Sequence, residues 1–160
     1  MTEPLHRNAL RVQQALQAVG SPGRVRRLDA SAGTAAEAAA ALGVTVGAIA
    51  KSLVFQADEQ PVLVVMSGSD RVDTKRLAEA VGAARVRRPD ADAVRAATGY
   101  PIGGVSPAGL PEGLQVLVDR GLAAFDVVWA SAGTPHDVFP TSFDELLAIT
   151  GGEPTDVREG

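Results

Sequence analysis

The chain has 160 residues, 46% of them hydrophobic and 21% charged, with a formal net charge of −4; that length suits one domain with a full core. It contains no cysteine and only two histidines, His6 and His136. This excludes disulfides, cysteine nucleophiles, thiolate zinc sites, iron–sulfur clusters and any three-histidine metal centre. The acidic balance is not that of a protein gripping nucleic acid along a whole face, and no apolar run is long enough to cross a bilayer.

The opening residues Met1 to Arg7 lack the basic-then-apolar order of a secretory signal, so a cytoplasmic protein without membrane association is expected. Leu5, Ala9, Val12, Leu16 and Val19 recur at helical spacing and predict a helix over 5–19, stopped by Gly20-Ser21-Pro22-Gly23. Arg24 to Leu28 is a short candidate strand. Thr34 and Glu37 form a capping box that opens a helix running to Leu42, with Gly43 ending it. Ala48 to Gln56 and Pro61 to Ser67 read as strands joined at Asp58-Glu59-Gln60, a predicted antiparallel hairpin. A helix follows from Asp73 to Val81, then a short strand from Ala84 to Arg87. Another helix starts at Pro89-Asp90 and ends at Gly99. Tyr100 to Gly113 is a loop rich in Gly and Pro. Strands are predicted over 114–119 and 126–131, with a short one at Val138-Phe139. Ser142 and Glu145 form a second capping box for a helix ending at Thr150. Residues 153–160 read as a loose polar tail.

No repeat and no linker divides the chain, so residues 1–152 are expected to form a single unit followed by that tail. Strands slightly outnumber helices and occur in groups. This predicts an α+β fold: a mixed, largely antiparallel sheet, or a partly closed barrel, flanked by helices.

Lys51 stands alone in the apolar segment Val46 to Phe55. A buried ammonium is expensive. An anionic ligand, a buried carboxylate or a catalytic task would justify it; so would an edge position that lets the head reach water.

The segment Tyr100 to Gly109 packs three glycines and two prolines into ten residues. Glycines permit close approach of backbone to a ligand and prolines fix the path. Free N–H groups in such a loop can hold an anion or a developing oxyanion, although a purely structural connection has the same composition. The loop is not a nucleophile elbow, because Pro107 directly follows Ser106 and supplies no N–H. Neither a Walker A motif nor a Rossmann fingerprint occurs.

Trp129 to Asp137 runs from a strand into a glycine turn carrying His136, a residue suited to acid–base work or to a surface turn beside Asp137. Three arginine-rich clusters, Arg24/Arg26/Arg27, Arg71/Lys75/Arg76 and Arg85/Arg87/Arg88, are solvated faces or contacts for a phosphate backbone.

Three blocks in this order resemble the YbaK/ProX family, free-standing relatives of the editing domain inserted in bacterial prolyl-tRNA synthetase. They are Ala48 to Phe55, Gly99 to Pro107 and Trp129 to Gly133, and the resemblance spans about residues 25 to 151. It implies the YbaK-type fold and an aminoacyl-tRNA deacylase acting in trans. Such an enzyme hydrolyses the ester of a mischarged tRNA, with tRNA(Pro) bearing Cys, Ala, Ser or Thr as the family expectation. It implies that Lys51 anchors the terminal phosphate or adenosine. Gly103 and Gly104 would act on the acyl carbonyl through backbone N–H groups, within a 103–107 loop that includes Val105, Ser106 and Pro107. Tyr100, Gly133 and His136 would line the substrate site. No metal, cofactor or covalent nucleophile is implied; positioned water, or a hydroxyl of the substrate, suffices for an activated ester. The implied partners are the 3′ end of aminoacyl-tRNA and prolyl-tRNA synthetase. Two other readings fit the same residues: a non-catalytic aminoacyl-adenosine or tRNA-binding module that associates with a synthetase, and a hydrolase of other small activated esters.

Overall fold

The structure, a computed structural model, describes residues 5–160; residues 1–4 of the expected unit lie outside them. Its centre is a hairpin of β2 (Ile49–Ala57) and β3 (Gln60–Ser67), paired antiparallel from Ala50↔Ser67 to Ala57↔Gln60. The run Val62-Leu63-Val64-Val65-Met66 is apolar without alternation because both faces of β3 are covered. Leu63 and Val65 enter one cluster with Val54, Tyr100 and Phe139. Val62, Val64 and Met66 enter another with Phe55, Leu77 and Val157. A strand buried on both sides loses the polar alternation of a half-exposed one.

The other strands are β1 (Arg26–Arg27), β4 (Val86–Arg87), β5 (Gln115–Asp119), β6 (Val128–Ser131), β7 (Asp137–Thr141) and β8 (Glu153–Thr155). They build a sheet in the order β1-β7-β6-β2-β3-β5-β8, with β4 added to β2. The β1–β7, β6–β7, β2–β3 and β2–β4 pairs are antiparallel. The β2–β6, β3–β5 and β5–β8 pairs are parallel. The fold is thus the expected mixed, mostly antiparallel sheet flanked by helices.

Among the described residues five α-helices flank the sheet: α1 (Arg7–Ala18), α2 (Ala35–Leu42), α3 (Thr74–Val81), α4 (Ala91–Thr98) and α5 (Phe143–Thr150). Local chemistry sets their starts. Thr34 accepts from the Glu37 N–H and Ser142 from the Glu145 N–H, as the two capping boxes predict. Asp73 and Asp90 cap α3 and α4 in the same way. No helix among the described residues is long and apolar enough to cross a membrane.

The C-terminal segment differs from expectation. The polar tail is not loose: Glu153–Thr155 pairs in parallel with β5, and Val157 is fully buried in the β3 cluster. Asp119 fixes it, its carboxylate accepting from the Val157 N–H at 2.9 Å and from Arg158 at 3.1 Å. The tail's polar composition hides one anchoring valine, and a parallel pairing leaves no local sequence signal.

One edge of β2 positions the site. β3 runs along one side of the strand. On the other, β6 pairs only with Ile49 and Ala50, and β4 only with Gln56 and Ala57. Residues 51–55 therefore face no strand on that side, and Lys51 lies in this gap.

Candidate active site

A cavity of about 250 Å³ opens at the gap. Its walls come from β2 (Ala50, Lys51, Ser52, Leu53), the turn Ile102-Gly103 with Val105, the start of α2 (Gly33, Thr34, Ala35), β6 (Trp129, Ser131) and Arg88. The lysine strand and the glycine loop, 50 residues apart in sequence, thus face one space.

Lys51 is half-buried. Its Nζ donates to the backbone carbonyl of Asp70. Burial pushes its pKa below the usual 10.5; the Asp70 carboxylate opposes that shift, while Arg71 and Arg88 add to it. Among the described residues no ion pair involves Lys51, Arg71 or Arg88. The Arg88 guanidinium lies 5.1 Å from the Phe55 ring centroid, a stacked placement that holds its charge at the cavity wall. The cavity wall therefore carries the cations Lys51 and Arg88, neither in an ion pair among the described residues, in a protein whose net charge is −4.

The glycine loop is shaped from within. The Gly104 N–H donates to the Pro101 carbonyl at 3.0 Å, closing a turn in which Gly103 has φ +86°, the region that a glycine supplies at this turn position. The Gly104 N–H is consequently spent inside the loop and is not a free oxyanion donor. Among the described residues the Gly103 and Val105 N–H groups have no acceptor, and both residues line the cavity.

The remaining expected site residues lie behind this wall. Tyr100 is fully buried, and its hydroxyl donates to the Ala108 carbonyl at 2.7 Å. Ser106 is fully buried, and its Oγ accepts from the Ala108 N–H at 3.2 Å. Pro107 is buried beside them. Gly133 backs onto Gly104 and does not line the cavity. His136 does not line it either; its N–H donates to Thr134 Oγ1 at 3.1 Å and its carbonyl accepts from the Leu28 N–H at 2.7 Å. These five residues shape the loops from inside, away from the space a substrate would enter.

Sequence reasoning passed over several wall residues. Ser52 directly follows Lys51, and its Oγ is buried without a partner. Ser131 and Trp129 alternate along β6, a pattern that places both on one face. The Arg26 guanidinium sits 5.9 Å from the Trp129 ring centroid. The capping box announced α2 but carried no sign that its first turn faces Gly103.

The described residues contain no group of three or more metal-ligating side chains. What the site offers is a cation, two backbone N–H groups without an acceptor among the described residues, and a set of small apolar side chains, Ala32, Ala38, Ala50 and Ala130.

Comparison with known proteins gives the family. The family model described as "Aminoacyl-tRNA editing domain" matches residues 29–149, and the chain belongs to that family. It is 33% identical over 124 residues to the uncharacterized protein YwhH of Bacillus subtilis (strain 168), covering 76% of this chain and 78% of that one. It is 34% identical over 128 residues to a proline–tRNA ligase of Streptococcus sanguinis (strain SK36), covering 77% of this chain but only 20% of the ligase. A solved structure described as a candidate trans-editing enzyme for prolyl-tRNA synthetase superposes with a TM-score of 0.90 at 40% identity, covering 98% of this chain and 100% of that one.

Proposed function

We propose that the protein is a trans-acting deacylase that hydrolyses the ester linking a small amino acid, such as Cys, Ala, Ser or Thr, to the 3′-terminal adenosine of a mischarged tRNA, with tRNA(Pro) as the first candidate. One observation carries this reading: Lys51 lines the same cavity as Gly103 and Val105, whose N–H groups have no acceptor among the described residues. Lys51 would hold the terminal phosphodiester, with Arg71 and Arg88 supplying further positive charge near it. The Gly103 and Val105 N–H groups would face the ester carbonyl.

The chemistry is balanced without a cofactor. Water adds to the acyl carbon, and negative charge gathers on the carbonyl oxygen, where pre-aimed N–H donors act most strongly in a dry site. The acyl C–O bond then breaks, and the ribose hydroxyl leaves with a proton. The starting ester is activated, so positioning supplies much of the acceleration required. The alanine-rich lining supports selection of small side chains by exclusion of larger ones.

The test is release of amino acid from a panel of mischarged tRNAs by purified protein. Turnover of a small-residue ester on tRNA(Pro) supports the reading. Binding without release would instead identify a non-catalytic module, and equal turnover of free amino acid esters would identify a small-ester hydrolase.

A further inference from the structure

Helix α1 lies outside the 29–149 stretch matched by the editing-domain family, yet it reaches both glycine turns. Asn8 Nδ2 donates to the Gly133 carbonyl at 3.0 Å. Gly133 has φ +94°, and a Cβ there would lie 2.7 Å from Asn8 Cβ. One helical turn further on, Arg11 donates to the carbonyls of Thr98, at 3.4 Å, and Gly109. Those two residues bracket the loop that presents Gly103 and Val105. The Arg11 guanidinium also sits 4.8 Å from the Tyr100 ring centroid, and Tyr100 is the side chain that fills the loop's interior.

We infer that Asn8 and Arg11 are positioning residues: α1 clamps the Tyr100–Ala108 loop and the Gly133 turn from behind, and so sets where the Gly103 and Val105 N–H groups point. Neither side chain lines the cavity, so neither touches substrate. Their influence passes through backbone. Arg11 is suited to this because its Nη2 donates to both carbonyls while the planar guanidinium lies over the Tyr100 ring; a lysine ammonium is a compact point charge without that planar face. The two turns then move as one body, since Gly104 and Gly133 pack backbone against backbone. A loop displaced by about 1 Å at a reacting carbonyl costs on the order of 100-fold in rate.

The kinetic arm of the test rests on the deacylase reading; the exchange arm does not. Arg11→Ala is expected to lower kcat for a mischarged tRNA by about 100-fold with little change in KM, and added guanidinium is expected to restore part of it. Gln14→Ala, on the exposed side of the same helix, should leave kcat unchanged. Amide hydrogen exchange should quicken at Gly104 and Gly133 in Arg11→Ala and at Gly133 in Asn8→Ala, with Val64 in the central hairpin unaffected. If Arg11→Ala does not fold, Arg11→Lys carries the same comparison. The clamp is overturned if the glycine amides exchange as in the wild type, or if Val64 quickens to the same degree, which marks general loss of stability. A wild-type protein that hydrolyses no ester of the panel would sink the deacylase reading and leave the exchange pattern to decide the clamp.

Discussion

Gly104 lies against Gly133: a Cβ built on Gly104 would sit 3.0 Å from both the carbonyl carbon and the carbonyl oxygen of Gly133. The first belongs to the turn that faces the cavity and the second to the turn that leaves β6. Their contact leaves no room for a side chain at Gly104, while a Cβ on Gly133 would meet Asn8 and Tyr100 instead.

Substitution at these two positions should therefore differ in degree. Gly133→Ala meets a positive φ and a 2.7 Å approach to Asn8 Cβ, and is expected to cost about 1–3 kcal/mol in urea unfolding. Gly104→Ala meets only the crowding, so it should cost less stability while still lowering turnover by separating the turns. Equal stabilities for the two variants would refute the packing argument.

Lys51 should trade stability for activity. Lys51→Met is expected to reduce kcat/KM for a mischarged tRNA by about 100-fold while the protein stays folded. Burial holds the folded pKa of Lys51 below its ordinary 10.5, so the unfolded chain binds more protons between those two values. Stability supplied at this position then rises with pH through that window and is lowest once the ammonium is fully charged. Thermal melts along a pH series should show wild-type Tm gaining on Lys51→Met as pH approaches 10.5. Tyr100 has its pKa raised above 10.0 by burial, but it titrates equally in both proteins and cancels from the difference. A gap that is constant with pH would contradict the burial argument.

The two capping boxes, the central hairpin and the glycine-ended helices could all be read from the chain, because each depends on residues within a few positions of one another. The lysine strand and the Gly103 turn were placed together only through the family resemblance. What escaped is what the fold assembles from afar. Tyr100 and Ser106 have the chemistry of substrate contacts, but their hydroxyls are used on Ala108. The Gly104 N–H, which the resemblance assigns to the acyl carbonyl, is taken by the Pro101 carbonyl. The segment 153–160 reads as a loose polar tail by composition, yet its strand joins β5 in parallel, a pairing that no hairpin signal announces.

Arg88 offers a test of how nucleic acid meets the site. Removing one phosphate contact lowers the slope of log K against log salt by about 0.7 for a single strand. Arg88→Ala should show that loss on binding deacylated tRNA, whereas Arg24→Ala, exposed and away from the cavity wall, should not. The opposite pattern would transfer the contact to the Arg24 cluster.

The C-terminal strand should matter more than its composition suggests. Asp119 is fully buried, and its carboxylate accepts from the N–H groups of Gly121 and Val157 and from Arg158. Asp119→Ala leaves buried donors unpaired and should cost about 1–3 kcal/mol in urea unfolding. Removal of residues 153–160 should lower Tm as well; an unchanged Tm would show that β8 adds nothing to the sheet.

The five-residue interruption along β2 has a consequence beyond catalysis. An unpartnered strand margin is ordinarily where another chain docks or aggregation begins. Here the glycine loop, the first turn of α2 and Arg88 line a cavity of about 250 Å³ beside that margin. The spare hydrogen-bonding groups of this sheet border thus face that cavity instead of a neighbouring strand.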